Sequence, residues 1–483
     1  LFVLGLCGYL NRAVTIQNMN ENLNIDQWLV TPNNLPRVVD GLDYERCAAL
    51  HNYLIQYAWV ASSRDLSDFD PQSWFEKHRN AAEDIRQELE PSLVKFLETA
   101  YDCDNESGIC PFYWVSTFNS PERLWVNWED FAKIGEEHRR LTLYPTQTGL
   151  LGGHTDGLCY DQKTHKAVMF MSTDDRGYVD TEEGAHLWYP LETVLSNWIF
   201  TLRKGKITAG PDGVNLENEK YGPWMYHSYS YQQVEDTVAA FNRLVVAIES
   251  RIPAARRRCP TSTPILSHKI LDEASVPNPS FARSFLASIR LPSFKYIAPH
   301  LHILTPERFV ENQVFTTIHD EDDPLAVPPV LLFRAILNFR LVHEVRLDEK
   351  NLFGPIYTSA LQGKAIPAGL YTDAISRGQP DIAEEGFRLV LPYHIGENGF
   401  ARQSDGSLIG DDKWKDLYQH GSKPFGGDWS RAQRLERLFD NWTKMVENGL
   451  WEVDDDGVVG GIEKFKEADT EAHWKDYWIE PDW

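Results

Sequence analysis

At 483 residues the chain is too long for one ordinary hydrophobic core, so two or more domains are expected. Its 42% hydrophobic and 12% aromatic content excludes a globally disordered chain. A net charge of −24 argues against a nucleic-acid partner, because phosphate backbones are held by clustered Lys and Arg, and Arg256-Arg257-Arg258 is the only compact basic run.

Leu1–Leu10 is apolar but far shorter than the ~20 residues a bilayer span needs, and it lacks a basic leader. Residues 1–18 read as a non-structural leader, with Met19 as the true start; a truncated secretory signal is the alternative. Asp43 caps a predicted helix running to about Ala61. Asp70-Pro71 predicts a second helix start, carrying Trp74, Phe75, Ile85 and Leu89. Pro91 opens a third, with Leu93, Phe96 and Leu97 on its apolar side.

Strand-like runs follow at Phe112–Phe118, Leu141–Pro145, Gly157–Asp161 and Ala167–Ser172. Asp161–Lys166 has the polarity of a hairpin turn between two of them. Leu191–Arg203 reads as a helix ended by Gly205, and residues 206–229 as a loop. Tyr231–Arg251 is an amphipathic helix with Val234, Val238, Phe241 and Val245 on one face. The Pro- and Arg-rich stretch 252–264 is the predicted linker, which sets the N-terminal domain at 19–251 and the C-terminal one at 265–483.

Within the C-terminal part, 291–306 and 327–343 read as strand-rich or mixed, 362–430 as glycine-rich turns, and 430–447 as a helix. The last 33 residues hold 11 acidic side chains against three lysines. Trp451, Trp474, Trp478 and Trp483 predict that this tail packs back on its domain instead of staying solvated. The fold class is therefore α/β in the mixed α+β sense. The six scattered cysteines form no Cys-x-x-Cys pair and suit free thiols in a cytoplasmic protein; a Cys103–Cys110 bridge is the alternative in an oxidising compartment.

Four segments carry a family resemblance: Glu90-Pro-Ser-Leu-Val-Lys-Phe-Leu, Trp125-Val-Asn-Trp128-Glu-Asp-Phe131, Gly157-Leu-Cys-Tyr-Asp-Gln-Lys-Thr164 and Trp188-Tyr-Pro-Leu-Glu-Thr-Val-Leu-Ser-Asn-Trp198. In this order, the block from about residue 80 to 205 resembles the SUKH superfamily, which includes the fungal Smi/Knr-type cell-wall assembly regulators and bacterial immunity proteins. The resemblance implies a mixed sheet with helices that binds partner proteins and does no chemistry. It also implies a regulatory or scaffold role in fungal cell-wall assembly or stress signalling. Composition points to Trp125, Trp128 and Trp188 as the binding residues.

Three patterns offer chemistry. His154-Thr-Asp156 with His186 has the composition of a two-histidine, one-carboxylate iron set, the alternative function being a non-haem iron oxygenase. The competing account places His154 and Asp156 in a Gly-rich turn with a local hydrogen bond. His300-Leu-His302 projects two imidazoles to one face of a strand without an evident third ligand. Glu452 to Glu463 follows calcium-loop spacing, with Asp454, Asp456 and Glu463 at loop positions three, five and twelve and Gly457 at six; an acidic hairpin turn is the alternative. Phosphate-cradling and nucleophile-elbow motifs are absent from the sequence.

Overall fold

The computed structural model describes residues 24–103, 108–128, 135–147, 155–172, 175–211, 220–253, 264–340, 353–361, 363–379, 381–409, 415–427 and 431–482. The chain is of mixed α/β class and divides into two compact units. The first takes Leu1–His227, Ser422–Asp428 and Asp482–Trp483; the second takes Ser228–Gly421 and Trp429–Pro481. The division thus falls at 227/228, not within 252–264. The expected N-terminal domain ending at 251 is corrected by the side chains of Tyr231–Arg251. Phe241, Leu244 and Ile248 lie in the core of the second unit.

In the first unit, helix α1 (Tyr44–Ala61) is capped by Asp43, whose side chain accepts from the Arg46 amide. Helix α2 (Pro91–Thr99) starts on Pro91, with the Glu90 carboxylate accepting from the amides of Ser92 and Leu93. Between them, the single helix expected from Asp70-Pro71 is two short ones, Trp74–His78 and Asn80–Asp84. Ser73 and Glu76 form a capping box three residues later than the Asp-Pro signal, and Arg79 breaks the run with φ +47°.

Four antiparallel strands follow in spatial order: β1 (Arg140–Pro145), β2 (Thr155–Asp161), β3 (Lys166–Ser172) and β4 (Tyr189–Pro190). The aromatic–proline step Tyr189-Pro190 is β4 itself, and it leads into helix α3 (Leu191–Arg203). The expected strand at Phe112–Phe118 is instead a turn with isolated bridges from Val115 to Phe112 and Thr146. Phe112, Tyr113, Trp114 and Val115 are all fully buried, so the segment does not alternate an inner with an outer face as a sheet strand does. Residues 206–229, expected as a loop, contain a small sheet of Ile207–Ala209, Trp224–Tyr226 and Lys220–Tyr221.

One face of the β1–β4 sheet packs on an aromatic chain. Phe96 meets Phe118 at 5.8 Å, Phe118 stacks on Tyr144 at 4.6 Å, and Tyr144 meets Trp198 edge-on at 6.4 Å. Phe96 of α2 and Trp198 of α3 therefore belong to one continuous core. The segment 422–427 completes this unit: Pro424 accepts from the Met169 amide on β3, and Phe425 accepts from Trp198 Nε1.

The second unit holds helices α4 (Tyr231–Arg251) and α5 (Phe281–Ser288), then strands β5 (Tyr296–Ala298), β6 (Leu301–His302), β7 (Leu331–Arg340), β8 (Ala365–Thr372) and β9 (Phe387–Val390). Helix α6 (Leu435–Glu447) and the hairpin β10 (Val453–Asp454) and β11 (Gly457–Val458) follow. The seven strands lie in the order β9-β8-β7-β6-β5-β11-β10, antiparallel except for β5 beside β11. Phe241 of α4 stacks on Phe333 at 6.0 Å and meets Phe439 of α6 edge-on at 5.5 Å. Trp442, Trp451, Phe465 and Tyr477 extend this core into the acidic C-terminal segment. Residues 1–18 and 254–263 lie outside the described residues.

Candidate functional site

The sheet of the first unit brings two of the three singled-out tryptophans together. In register, Thr142 of β1, Cys159 of β2 and Val168 of β3 form one row on one face. Trp128 and Trp188 pack on this face with Phe170, Val179 and Leu187. Trp188 meets Phe170 edge-on at 6.1 Å and donates from Nε1 to the Val179 carbonyl at 3.4 Å. Trp125 stands apart, its ring 4.5 Å from that of His138. All three indoles are buried. They are enclosed apolar surface, not a face offered to a partner, because burial of such large rings is already satisfied within the unit.

A closed circuit of polar contacts surrounds Trp128. Its Nε1 donates to Thr142 Oγ1 at 3.3 Å, and Thr142 Oγ1 donates to Asp156 Oδ1 at 3.0 Å. Asp156 Oδ2 accepts from Arg176 Nε at 2.8 Å and Nη2 at 2.5 Å. Arg176 then lies over the Trp128 ring at 4.0 Å and donates to the Asn127 carbonyl at 2.9 Å. Arg140 adds a second cation, 5.3 Å from the Trp128 ring and 5.0 Å from that of Trp188, while bonding Asp180 at 3.0 Å. Asp156 is 1% exposed. Burial and the negative charge of Asp156 push the Cys159 thiol well up, so it is a poor nucleophile.

These contacts decide what the His-x-Asp pattern does. The Asp156 carboxylate, on strand β2 and not in a turn, is occupied by Arg176, Thr142 and Asn127, contacts distant in sequence and not the local hydrogen bond expected. His186 is exposed on a short helical turn, with Nδ1 2.7 Å from the Glu183 carbonyl. His154 lies outside the described residues. Among the described residues, no group of three His, Cys, Asp or Glu side chains is arranged to hold a metal ion.

The calcium-loop spacing falls on the β10–β11 hairpin, where Asp454 is opposite Gly457 and accepts from the Asp456 amide at 2.8 Å. Asp456 pairs with Lys295 at 3.0 Å. Glu463 lies on the following 3-10 helix, Ile462–Asp469. A helix–loop–helix calcium site needs helices on both sides of the loop, and here two paired strands take their place. Cys47, Cys103, Cys110 and Cys159 are buried, and among the described residues none is disulfide-bonded.

Sequence reasoning missed Arg176, Arg140 and Arg46. Arg46 of α1 is 2% exposed and donates to four backbone carbonyls: Trp28 at 2.6 Å, Leu29 at 2.7 Å, Leu35 at 2.9 Å and Asn34 at 3.0 Å. This guanidinium fastens the turn 28–35 and leaves the adjoining segment Leu35-Pro36-Arg37-Val38-Val39 presenting three exposed apolar side chains, Leu35 (67%), Val38 (104%) and Val39 (46%). A lone arginine in a helix carries no spacing signal; only its burial reveals its role. Among the described residues, no helix is long and apolar enough to cross a membrane. No family model, curated protein or solved structure matches this chain.

Proposed function

We propose that this chain is a non-catalytic regulatory or scaffold protein that holds protein partners in the cytoplasm, with a SUKH-like module at about residues 80–205. The observation that carries the reading is a contrast within the first unit. Its polar groups of greatest chemical promise are closed on one another, Asp156 on Arg176 and Thr142, while an apolar segment fastened by Arg46 is left exposed. The module of this reading runs from α2 through the β1–β3 meander and the Tyr189-Pro190 step to α3. By that resemblance, the partners belong to fungal cell-wall assembly or stress signalling. The net charge of −24 disfavours nucleic acid, and buried free thiols suit a reducing compartment.

The contact surface in this reading is Leu35, Val38 and Val39, since Trp125, Trp128 and Trp188 are enclosed. The test compares affinity capture by the full chain with capture by a Val38→Asp, Val39→Asp variant of unchanged melting temperature. Partners held by the native chain are expected to be lost from the variant. An unchanged partner set rejects this surface. Stoichiometric iron in the purified protein that disappears on changing His154 to Ala rejects the non-catalytic reading.

A further inference from the structure

The sheet of the second unit carries a row of polar side chains unused by the reading above. Tyr296 of β5 is opposite His302 of β6, and His302 is opposite Arg334 of β7. Residues directly opposite across neighbouring strands share a face, so the three side chains stand side by side. The row ends in glycine on both sides, with Gly457 of β11 opposite Tyr296 and Gly369 of β8 opposite Arg334. Neither end has a side chain to fill the face.

This face is the one turned away from α4. Phe333 stacks on Phe241, so its neighbour Arg334 projects to the opposite side. Arg334 Nη2 bonds the exposed Asn338 at 3.0 Å. His300 adopts φ +61° just before β6, with its ring 5.9 Å from His302, while Tyr296 lies 4.6 Å from His302.

Three buried nitrogens in this group are unsatisfied. Among the described residues, His300 Nε2, His302 Nε2 and Arg334 Nε are buried with no hydrogen-bond partner. Orphaned buried polar atoms of this kind are costly, and three in one cluster point to a missing acceptor. The local charge identifies its sign. Burial, then the neighbouring His300, then the cations Arg334, Arg308 and Lys295 depress His302 to about 4. Lys295 is paired with Asp456, and the two guanidinium groups repel a metal ion and attract an anion.

We propose that the Tyr296–His302–Arg334 row binds a small oxyanion of the phosphate class. Arg334 Nε and the Nε2–H groups of His300 and His302 donate to its oxygens, and the Tyr296 ring walls the site. The recognised chemistry is the phosphoryl group, whether free or on a monoester. The inference is independent of the partner-binding reading and concerns the other unit.

Calorimetric titration of the full chain with inorganic phosphate and, in parallel, O-phosphoserine tests it. Saturable one-to-one binding is expected, weakened about tenfold or more by Arg334→Gln and by the paired change His300→Gln, His302→Gln, as loss of charge-assisted donors requires. Equal affinities assign the site to free phosphate, and a preference for O-phosphoserine assigns it to a monoester; either supports the proposal. Circular dichroism and melting temperature establish that each variant is folded, and Arg334→Lys is expected to restore part of the affinity. An imidazole NMR signal of His302 that moves to higher pKa with phosphate is the accompanying signature. Absence of saturation up to about 10 mM phosphate, or undiminished binding in folded Arg334→Gln, overturns the proposal.

Discussion

Arg176 lies over the indole of Trp128 at 4.0 Å while two of its nitrogens hold the buried carboxylate of Asp156. Neither charge has access to bulk water, so each depends on the other. Changing Arg176 to Met strands the carboxylate and is expected to cost about 3–5 kcal/mol. Adding Asp156→Leu should recover much of that loss, because no lone charge remains. Chemical unfolding followed by tryptophan fluorescence measures both. Strictly additive losses in the double variant sink the pairing argument.

His51 contributes a pH dependence of known sign. Its Nε2–H donates to the Tyr101 carbonyl at 2.8 Å, and its Nδ1 accepts from the Tyr144 hydroxyl at 2.9 Å. Burial pushes its pKa down to about 4, outweighing the Tyr101 carbonyl bond that raises it. In the unfolded chain it titrates near 6.5. The unfolded state therefore takes up the proton first as pH falls, and stability is lost from about 6.5 down to about 4. Relative to a His51→Gln variant, the native chain should lose roughly 1.4 kcal/mol per pH unit across that window. A difference that stays constant between pH 7 and pH 5 contradicts this.

Arg46 should not tolerate lysine. An ammonium lacks the planar fork that reaches Trp28, Leu29, Asn34 and Leu35 together. Arg46→Lys is expected to cost about 1–3 kcal/mol and to expose residues 28–39 to limited proteolysis before the rest of the unit. Cleavage that begins elsewhere at the native rate argues against this fastening role.

Gly426 sits at φ +108°, where a Cβ would lie 2.7 Å from the Trp114 ring. Gly426→Ala combines an unfavourable backbone conformation with overpacking, so a loss of about 1–3 kcal/mol is expected. The variant's melting temperature measures it. An unchanged melting temperature shows that segment 422–427 is not seated on Trp114.

Local signals were legible where one residue type dictates one geometry. Pro91 started its helix, Asp43 capped α1, and the polar run at 161–166 made the β2–β3 hairpin. Phe112–Val115 misled because a run of large apolar residues fits a buried turn as well as a strand. Tyr231–Arg251 was correct as a helix, but its unit depends on which aromatic rings Phe241 meets, and that is a long-range property. The same limit hid the candidate sites. Asp156 was visible as a carboxylate near a histidine, yet Arg176, twenty residues on, decides its role. His300 and His302 were visible as a pair, but Tyr296 and Arg334 join them only through strand register.

The passage of residues 422–427 across β3 and Trp198 has a consequence for biosynthesis. A ribosome makes the β1–β4 sheet, Trp114 and Trp198 some two hundred residues before it makes their last covering strip. Until then, Trp198 Nε1 lacks its Phe425 acceptor, and the edge of β3 at Met169 lacks Pro424. The nascent N-terminal half must wait, incompletely sealed, until residues 422–427 have been made. A gene cut between the units would release a half that carries that open edge permanently.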